Sequence, residues 1–411
     1  MKPTCNSLRI AALATAFVSF SAHATNGYQL IGIGTYQKSL GGAVTANPGS
    51  AMTAVSNPAG MARVGARADF SMEAFMPDRS VDFTASGGDV ADSAVDIYGV
   101  PAIGWTAPTS EGSEVYFGGG MYGTSGMGVD YPQTTMRPNG EWSGYSNVAF
   151  WQMAPGFAWN VNERYSVGVT LNIDYQSVAF KQSLEHATEG FNFDLGRGAS
   201  GFGLGFGLGL LYDVNDQLTV GFNYKSKQHF SPMEYQLADG DISHPQMGGD
   251  FEAGTYKLDL DFPQQAALGM AYSPNEKVTV SADIKWINWS DTMDKLSVTG
   301  PGGSFPMDPG WDDQTVYALG LSYDVSERVT LRAGYNYAKT PFGDSEAGNN
   351  LLLPAIVETH YTVGMNVVLN DHWDLAWHYM EVPEKTLTDP TTGAKISLAE
   401  QSFGFNIGYR F

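Results

Sequence analysis

The sequence has no apolar run of 18 or more residues, which is about the length that a membrane-spanning helix requires. It has one cysteine, Cys5, so no disulfide can form within the chain. Basic residues are few, with 22 Lys and Arg against 43 Asp and Glu and a net charge of −21. A surface of this sign repels nucleic acid. These absences exclude a helical membrane protein, a disulfide-rich scaffold and a nucleic-acid-binding protein.

The first 24 residues have the three parts of an export signal. Lys2 and Arg9 precede an apolar run at residues 10–20, and Ala22-His23-Ala24 supplies the small residues for cleavage before Thr25. The run is too short to span a bilayer. We therefore predict a signal peptide at residues 1–24, whose removal also removes Cys5.

Apolar and polar residues alternate with a period of two through much of the remaining chain, which indicates β-strands with one apolar face. The alternation is clearest at Phe403, Phe405, Ile407, Tyr409 and Phe411. It recurs at 165–175, 202–210, 278–286, 329–337, 361–369 and 373–379. In an exported chain we expect these faces to contact lipid. The strands must then close on themselves, because an open sheet edge in hydrocarbon would leave backbone groups unpaired.

We predict an all-β fold, a transmembrane antiparallel β-barrel of fourteen strands within residues 64–411. The first three strands are the least periodic, so twelve or sixteen strands are the alternatives. Short polar turns are expected at Asn162-Glu163, Asn215-Asp216, Asn275-Glu276, Ser326-Glu327 and Asn370-Asp371. Longer loops occupy 181–199, 231–254, 291–312, 339–357 and 383–400. Short turns on one rim and long loops on the other are typical of outer-membrane barrels, with the long loops outside.

Residues 25–63 break the alternation. They are rich in Gly, Ala and Ser, and two short helices are expected near 37–40 and 50–56. We predict that this segment forms a small helical hatch, a plug folded into the barrel lumen. A disordered periplasmic leader is the alternative.

Four stretches of the chain carry a family resemblance. They are Thr25-Asn26-Gly27-Tyr28, Ser39-Leu40-Gly41-Gly42-Ala43, Ser56-Asn57-Pro58-Ala59-Gly60-Met61-Ala62, and Leu331-Arg332-Ala333-Gly334-Tyr335-Asn336-Tyr337 followed by Pro341. The first three resemble the amino-terminal hatch of the FadL family of outer-membrane transporters for long-chain fatty acids and hydrocarbons, and Asn57, Pro58 and Ala59 are the most specific part. The fourth resembles a late-strand motif of that family.

The resemblance implies a fourteen-stranded barrel, a hatch that occludes the lumen, and passive movement of apolar molecules to a lateral opening in the wall. One departure concerns Glu358-Thr359-His360, which stands where many relatives have an aspartate shortly after a proline. The loop before the twelfth strand is therefore expected to differ.

Glycines crowd the third predicted strand and the residues that follow it, at Gly118, Gly119, Gly120, Gly123, Gly126 and Gly128. Glycine weakens strand pairing and tolerates a bulge or bend. The resemblance implies a kink in this strand that opens the wall sideways, and Gly118, Gly119, Gly120 and Gly123 are our candidates for that opening. The alternative is that these glycines only avoid clashes with the hatch.

Two groups of residues are candidates for substrate binding. Arg332 and Lys285 fall on polar faces of strands and could hold a carboxylate head group, although pairing with acidic residues is the alternative. Phe191, Phe193, Leu195, Met233, Tyr235 and Leu237 lie in long loops. They could form a hydrophobic landing groove on the outer surface, or simply pack the loops together.

The predicted function is passive transport of long-chain fatty acids or other hydrophobic small molecules across the outer membrane of a Gram-negative bacterium. Capture would occur at the extracellular loops and release through the lateral opening. A porin for small polar solutes is the alternative. Scattered histidines and the lack of a nucleophile motif argue against an enzyme.

The predicted partners follow from this function. They are the hydrophobic substrate, outer-membrane lipid with lipopolysaccharide, and the barrel-assembly machinery, for which Tyr409 and Phe411 are expected to form the recognition signal. No nucleic acid, metal or cofactor is predicted.

Overall fold

The computed structural model describes residues 26–245 and 249–411. The predicted signal peptide and Thr25 lie outside these residues. No helix among the described residues is both long and apolar enough to cross a membrane.

Fourteen antiparallel strands form one closed barrel within the described part of the chain. They are β1 (Arg67–Asp82), β2 (Tyr98–Pro108), β3 (Val115–Arg137), β4 (Gly140–Met153, continued by Gly156–Asn160), β5 (Tyr165–Glu185), β6 (Ala199–Asn215), β7 (Leu218–Lys225), β8 (Gln265–Asn275), β9 (Val278–Ile287), β10 (Gln314–Ser326), β11 (Val329–Ala338), β12 (Thr359–Val368), β13 (Trp373–Thr388) and β14 (Lys395–Arg410). β14 pairs with β1 over the full length of both strands, which closes the barrel. The predicted count of fourteen is confirmed.

The outer face of the barrel carries rows of exposed apolar side chains. In β6, Phe202, Leu204 and Phe206 are exposed, and the residues between them are glycines that face the lumen. Similar rows of exposed Phe, Leu, Val, Ile, Tyr and Trp occur on most of the other strands. An apolar surface of this extent around a closed barrel is one that contacts lipid.

The five predicted turns all lie at the rim where β1 begins and β14 ends, here called the periplasmic rim. In each turn a side-chain oxygen accepts a hydrogen bond from the backbone N–H two residues later. These pairs are Asn162 with Arg164, Asn215 with Gln217, Asn275 with Lys277, Ser326 with Arg328 and Asn370 with His372. Such side-chain bonds stabilise tight turns, so the sequence signal of these connections has a direct physical cause.

The opposite rim, here called the external rim, is covered by the long loops. The strands Met233–Leu237, Gly254–Leu258, Leu296–Gly300 and Gly303–Met307 form a separate four-stranded sheet, in that order. Shorter strands are Val90–Asp92, Phe191–Asp194, His229–Phe230, Ile242–His244 and Gly249–Asp250. Short helices in the loops are Thr84–Ser86, Ser290–Met293 and Asp344–Asn350. Their apolar side chains join the upper lumen in one large buried cluster.

Residues 26–64, called the hatch below, fold inside the barrel. Their helices are Gly34–Ser39, Thr53–Ser56, Pro58–Gly60 and Met61–Val64. Hydrogen bonds tie the hatch to opposite sides of the wall. The Asp283 carboxylate of β9 accepts the backbone N–H groups of Val44 and Thr45 at 2.9 Å each, and Asp69 of β1 accepts that of Ala51 at 2.8 Å.

Glycines on the wall let the hatch backbone approach closely. A Cβ atom at Gly334 of β11 would lie 2.1 Å from the Gly41 nitrogen, and one at Gly209 of β6 would lie 2.1 Å from Asn57 Oδ1. No ordinary contact is this short, so a larger residue at these positions would displace the hatch or the wall. The lumen-facing glycines are therefore explained in large part by the close contact between the hatch and the wall.

We expect Gly334→Val to destabilise the folded protein by about 2 kcal/mol or more, because the new side chain overlaps the hatch backbone. The measurement is thermal unfolding in detergent, followed by heat-dependent migration in gels. Gly99→Ala is the control, since a Cβ at Gly99 of β2 meets no atom within 4 Å. Equal effects of the two substitutions would contradict the explanation that these glycines make room for the hatch.

Candidate functional site

The regular pairing of the wall is interrupted beside β3. β2 and β3 pair only as far as Ala102 and Tyr122, whereas the rest of β2, up to Tyr98, pairs with β1 alone. On its other side, β3 changes register against β4 just after Gly123. From Gly123 toward the external rim, β3 therefore no longer follows β2.

At this interruption β3 bends toward the hatch. The backbone N–H of Gly126 donates to the Tyr28 carbonyl of the hatch, with an N···O distance of 3.2 Å. The Gly128 carbonyl accepts hydrogen bonds from the Arg79 guanidinium of β1 and, at 3.3 Å, from the Tyr98 hydroxyl. These contacts hold this part of β3 on the lumen side of the wall.

A cavity of about 140 Å³, called the side cavity below, lies next to the bend. It is bounded by the hatch, β1 to β4, β14 and the loop between β11 and β12. Most of its lining is apolar or glycine, including Leu30, Phe75, Val100, Met127, Val148 and Trp151. Polar groups enter from Arg79, Tyr98, Asn147 and Glu400. The arrangement is suited to a compact apolar molecule with little polar surface.

The four glycines proposed for a lateral opening occupy two different parts of β3. Gly118, Gly119 and Gly120 are in the part of β3 that still pairs with β2. Gly119 has φ 141°, and a Cβ there would lie 2.4 Å from the Ala154 carbonyl oxygen in the gap of β4. Of the four, Gly123 alone lines the side cavity, whose other lining glycines are Gly27, Gly99, Gly126 and Gly128. The role of these four glycines in a lateral opening stays a prediction.

Tyr28 connects the side cavity to an aromatic group beneath the loops. It lines the cavity, and its ring centroid lies 4.7 Å from that of Trp289 and 5.8 Å from those of Phe262 and Trp311. Burial, and next the negative charge of Asp261, raise the pKa of Tyr28, so its hydroxyl stays neutral. The start of the hatch thus forms part of the cavity wall.

The Asn57-Pro58-Ala59 motif fixes the far end of the hatch. Asn57 Nδ2 donates to the Thr45 carbonyl at 2.7 Å and to the Leu210 carbonyl of β6 at 3.1 Å. Asn57 Oδ1 accepts the Ala59 N–H at 3.1 Å and caps the short helix that Pro58 begins. The asparagine therefore joins two parts of the hatch to the wall.

Arg332 and Lys285 do not line the side cavity. The Arg332 guanidinium carbon lies 4.7 Å from the ring centroid of Tyr36 in the hatch, a cation–π contact. Lys285 lines a separate cavity of about 50 Å³ between the hatch and β7 to β9, together with Lys225 and several amide side chains. Lys225 donates to Gln152 at 2.9 Å.

The candidate landing residues are mostly buried inside the loops. Phe193, Leu195, Met233, Tyr235 and Leu237 are each less than 9% exposed, and Phe191 is half-buried against the same cluster. For example, the Phe193 ring stacks on Phe305 at 4.7 Å. Loop packing is therefore the interpretation that fits these six residues.

At the carboxyl terminus, Tyr409 contacts His372, Trp373 and Phe411 through its ring, and Phe411 is exposed. The role of Tyr409 and Phe411 in assembly stays a prediction. No group of three or more His, Cys, Asp or Glu residues within 26–245 and 249–411 is arranged to hold a metal ion.

A closed barrel with an apolar outer surface, an internal hatch and a side cavity defines a plugged outer-membrane barrel. The chain belongs to the family described as outer membrane protein transport protein (OMPP1/FadL/TodX), whose model matches residues 11–409. The predicted family and the predicted location in the Gram-negative outer membrane are confirmed.

Individual relatives are distant. Outer membrane protein P1 of Haemophilus influenzae is 25% identical over 229 residues, which cover 51% of this chain and 48% of that protein. The chain thus spans about half the length of the curated relatives it matches. A Pseudomonas aeruginosa FadL homologue has a TM-score of 0.76 at 18% identity, covering 94% of this chain and all of that one. The Pseudomonas putida toluene transporter TodX has a TM-score of 0.74 at 20% identity, covering 92% and 99%.

We expect Asn57→Ala to destabilise the hatch by about 3 kcal/mol, because two carbonyls and one N–H lose their partner. The measurements are thermal unfolding and ion current across planar bilayers, where transient openings should become more frequent. Asn47→Ala is the matched control, since it removes a single hydrogen bond to Ser281 at 2.8 Å. If the two substitutions have equal effects, Asn57 has no special role in fixing the hatch.

Proposed function

We propose that this protein is a passive outer-membrane channel for hydrophobic small molecules, such as long-chain fatty acids or aromatic hydrocarbons. Substrates enter beneath the external loops, pass through the side cavity, and leave sideways between β2 and β3 into the membrane. The observation that carries the proposal is the coincidence of two features. A mostly apolar cavity lies where the pairing of β2 and β3 is interrupted.

The chemistry of the cavity supports capture without a covalent step. Burying apolar surface stabilises a bound molecule by about 25 cal/mol per Å², so about 200 Å² would contribute about 5 kcal/mol. Family membership supports the same class of substrate, and one structural relative is a toluene transporter by name.

The hatch argues against the alternative of a porin. It crosses the lumen and is bonded to opposite sides of the wall through Asp69, Asp283 and Asn57. A porin for polar solutes needs an aqueous path along the barrel axis. A lateral route needs none, because an apolar molecule leaves directly into lipid.

Gly123→Val is expected to lower uptake of hydrophobic substrates severalfold while leaving the barrel equally heat-stable. A Cβ at Gly123 would lie 3.2 Å from a Val100 methyl group and would point into the side cavity. The larger side chain should therefore occupy the route once the Val100 side chain shifts by a few tenths of an ångström. The measurement is uptake of labelled toluene and oleate by a host lacking its own hydrophobic channel.

Gly343→Val is the control for this experiment. Gly343 lies in the loop after β11, and a Cβ there would be in ordinary contact with Glu346 at 3.6 Å. Unchanged uptake with Gly123→Val would refute the lateral route, and so would an equal loss with both variants.

For substrates with a carboxylate we retain Lys285 as the candidate for head-group contact. Its side chain lines the small polar cavity at the hatch, and no described carboxylate oxygen is in an ion pair with it. Arg332, which covers Tyr36, is assigned instead to packing of the hatch.

Lys285→Met is expected to lower the ratio of oleate uptake to toluene uptake several-fold, because only oleate has a charge for the ammonium group to bind. Competition between the two labelled substrates in whole cells measures this ratio. Lys277→Met, in the exposed turn between β8 and β9, should keep the wild-type ratio. An unchanged ratio in Lys285→Met would remove this residue from the binding site.

A further inference from the structure

Leu30 of the hatch borders both the side cavity and the small cavity that contains Lys285, called the polar cavity below. Leu30 is 8% exposed and packs in a small apolar cluster with Ile33. Val100, which lines the side cavity, and Val55, which lines the polar cavity, pack against the same cluster. The cluster therefore forms an apolar partition between the two cavities.

The polar cavity is suited to an anionic group. Lys225 and Lys285 line it, Asn223 and Gln265 add amide groups, and no carboxylate side chain is among its described lining residues. Asp283, on the same strand as Lys285, directs its carboxylate to backbone N–H groups of the hatch. The volume of about 50 Å³ has room for about three water molecules, and therefore for a carboxylate group. Such a group would bind to ammonium and amide donors.

The side cavity is suited to the apolar part of the same molecule. Its volume of about 140 Å³ is close to that of cavities of about 150 Å³ that hold benzene, so it encloses one ring or a short length of alkyl chain. A carboxylate that reaches Lys285 must be joined to this ring by a chain that crosses the partition. Leu30 borders both cavities and so lies on that path.

Compact neutral molecules and chain carboxylates therefore differ in what they demand of Leu30. A compact molecule fills the side cavity and leaves the partition intact. A chain that crosses the partition displaces the Leu30 side chain, whose burial is worth roughly tenfold to a hundredfold in an equilibrium constant. A hydrogen bond to a charged group is worth about the same factor. The two effects are of similar size, so the side chain at position 30 decides between the two kinds of molecule.

We propose that Leu30 is a specificity-determining residue, which favours compact neutral molecules over carboxylates carried on a chain. This inference rests on the proposed function, since it takes the side cavity as part of the route and Lys285 as the head-group contact. It goes beyond that function by naming the residue that separates these two places and the feature of the substrate that it selects against.

The test measures the affinity of 4-phenylbutanoate, which has a ring, a short chain and a carboxylate. The full-length protein in nanodiscs is titrated calorimetrically, and binding to protein-free nanodiscs is subtracted. Leu30→Ala should bind 4-phenylbutanoate about tenfold more tightly than the wild type, because the chain then crosses the partition without displacing a side chain. Benzoate has no chain between ring and carboxylate, so its affinity should not change. Toluene should compete with 4-phenylbutanoate, since both place a ring in the side cavity.

Met52→Ala is the matched control. Met52 is buried in the same cluster of the hatch but lines neither cavity, so its truncation should leave the affinity for 4-phenylbutanoate unchanged. Adding Lys285→Met to Leu30→Ala should remove the tenfold gain, because the carboxylate then loses its ammonium partner. Leu30→Val should give a smaller gain in the same direction, and it replaces Leu30→Ala if that variant does not fold.

Three results with the variants would overturn the inference. They are an unchanged affinity after truncation of Leu30, an equal gain in Met52→Ala, and a gain that persists with Lys285→Met. The wild type supplies a further test that needs no variant. If it already binds 4-phenylbutanoate tenfold more tightly than benzoate, the partition is no barrier and the inference is wrong.

Uptake of labelled toluene and oleate by wild-type cells separates this inference from the proposed function. If either substrate is taken up and any of the four results above is obtained, the inference alone is overturned. If neither substrate is taken up, the proposed function is wrong and the inference is overturned with it.

Discussion

Every backbone N–H and C=O group inside a bilayer needs a partner within the protein, because lipid offers none and each unpaired group costs several kcal/mol. This requirement closes β14 onto β1. It also makes the interruption beside β3 the least expected feature of the wall. The interruption persists because other groups replace the lost partners. Tyr28 and Arg79 bind the backbone of β3 at Gly126 and Gly128.

The segment between β1 and β2 completes this replacement nearer the external rim. Ala94 donates to the Asp130 carbonyl at 2.8 Å, and the Asp130 N–H donates to Ser93 Oγ at 3.0 Å. The edge of β3 is thus paired with loop and hatch instead of with β2. The interruption in strand pairing and a folded β3 are compatible for this reason. The replacement bonds also link the interruption to the hatch, because Tyr28 of the hatch supplies one of them.

The sequence contained enough to derive the barrel, because alternation and turn chemistry are local. Asn162 and Asn370, for example, bond within their own turns. The side cavity depends on contacts between residues far apart in the chain. Nothing near Arg79 in the sequence indicates that it meets Gly128. The loop residues show the same limit, since an apolar residue such as Phe193 has the same pattern whether it faces a groove or is buried against Phe305.

The chemistry beneath the side cavity explains why a sideways route suits an apolar molecule better than a route past the hatch. Below the cavity, Gln29 and Gln265 bond to each other at 2.6 and 3.2 Å, and Lys38 forms a buried ion pair with Glu73 at 2.9 Å. An apolar molecule moving through this interface would separate buried charges and amides without replacing their bonds, which is strongly unfavourable. Movement into lipid breaks no such bond. On the proposed route, the polar seat that anchors the hatch is therefore also the barrier that directs the substrate to the wall.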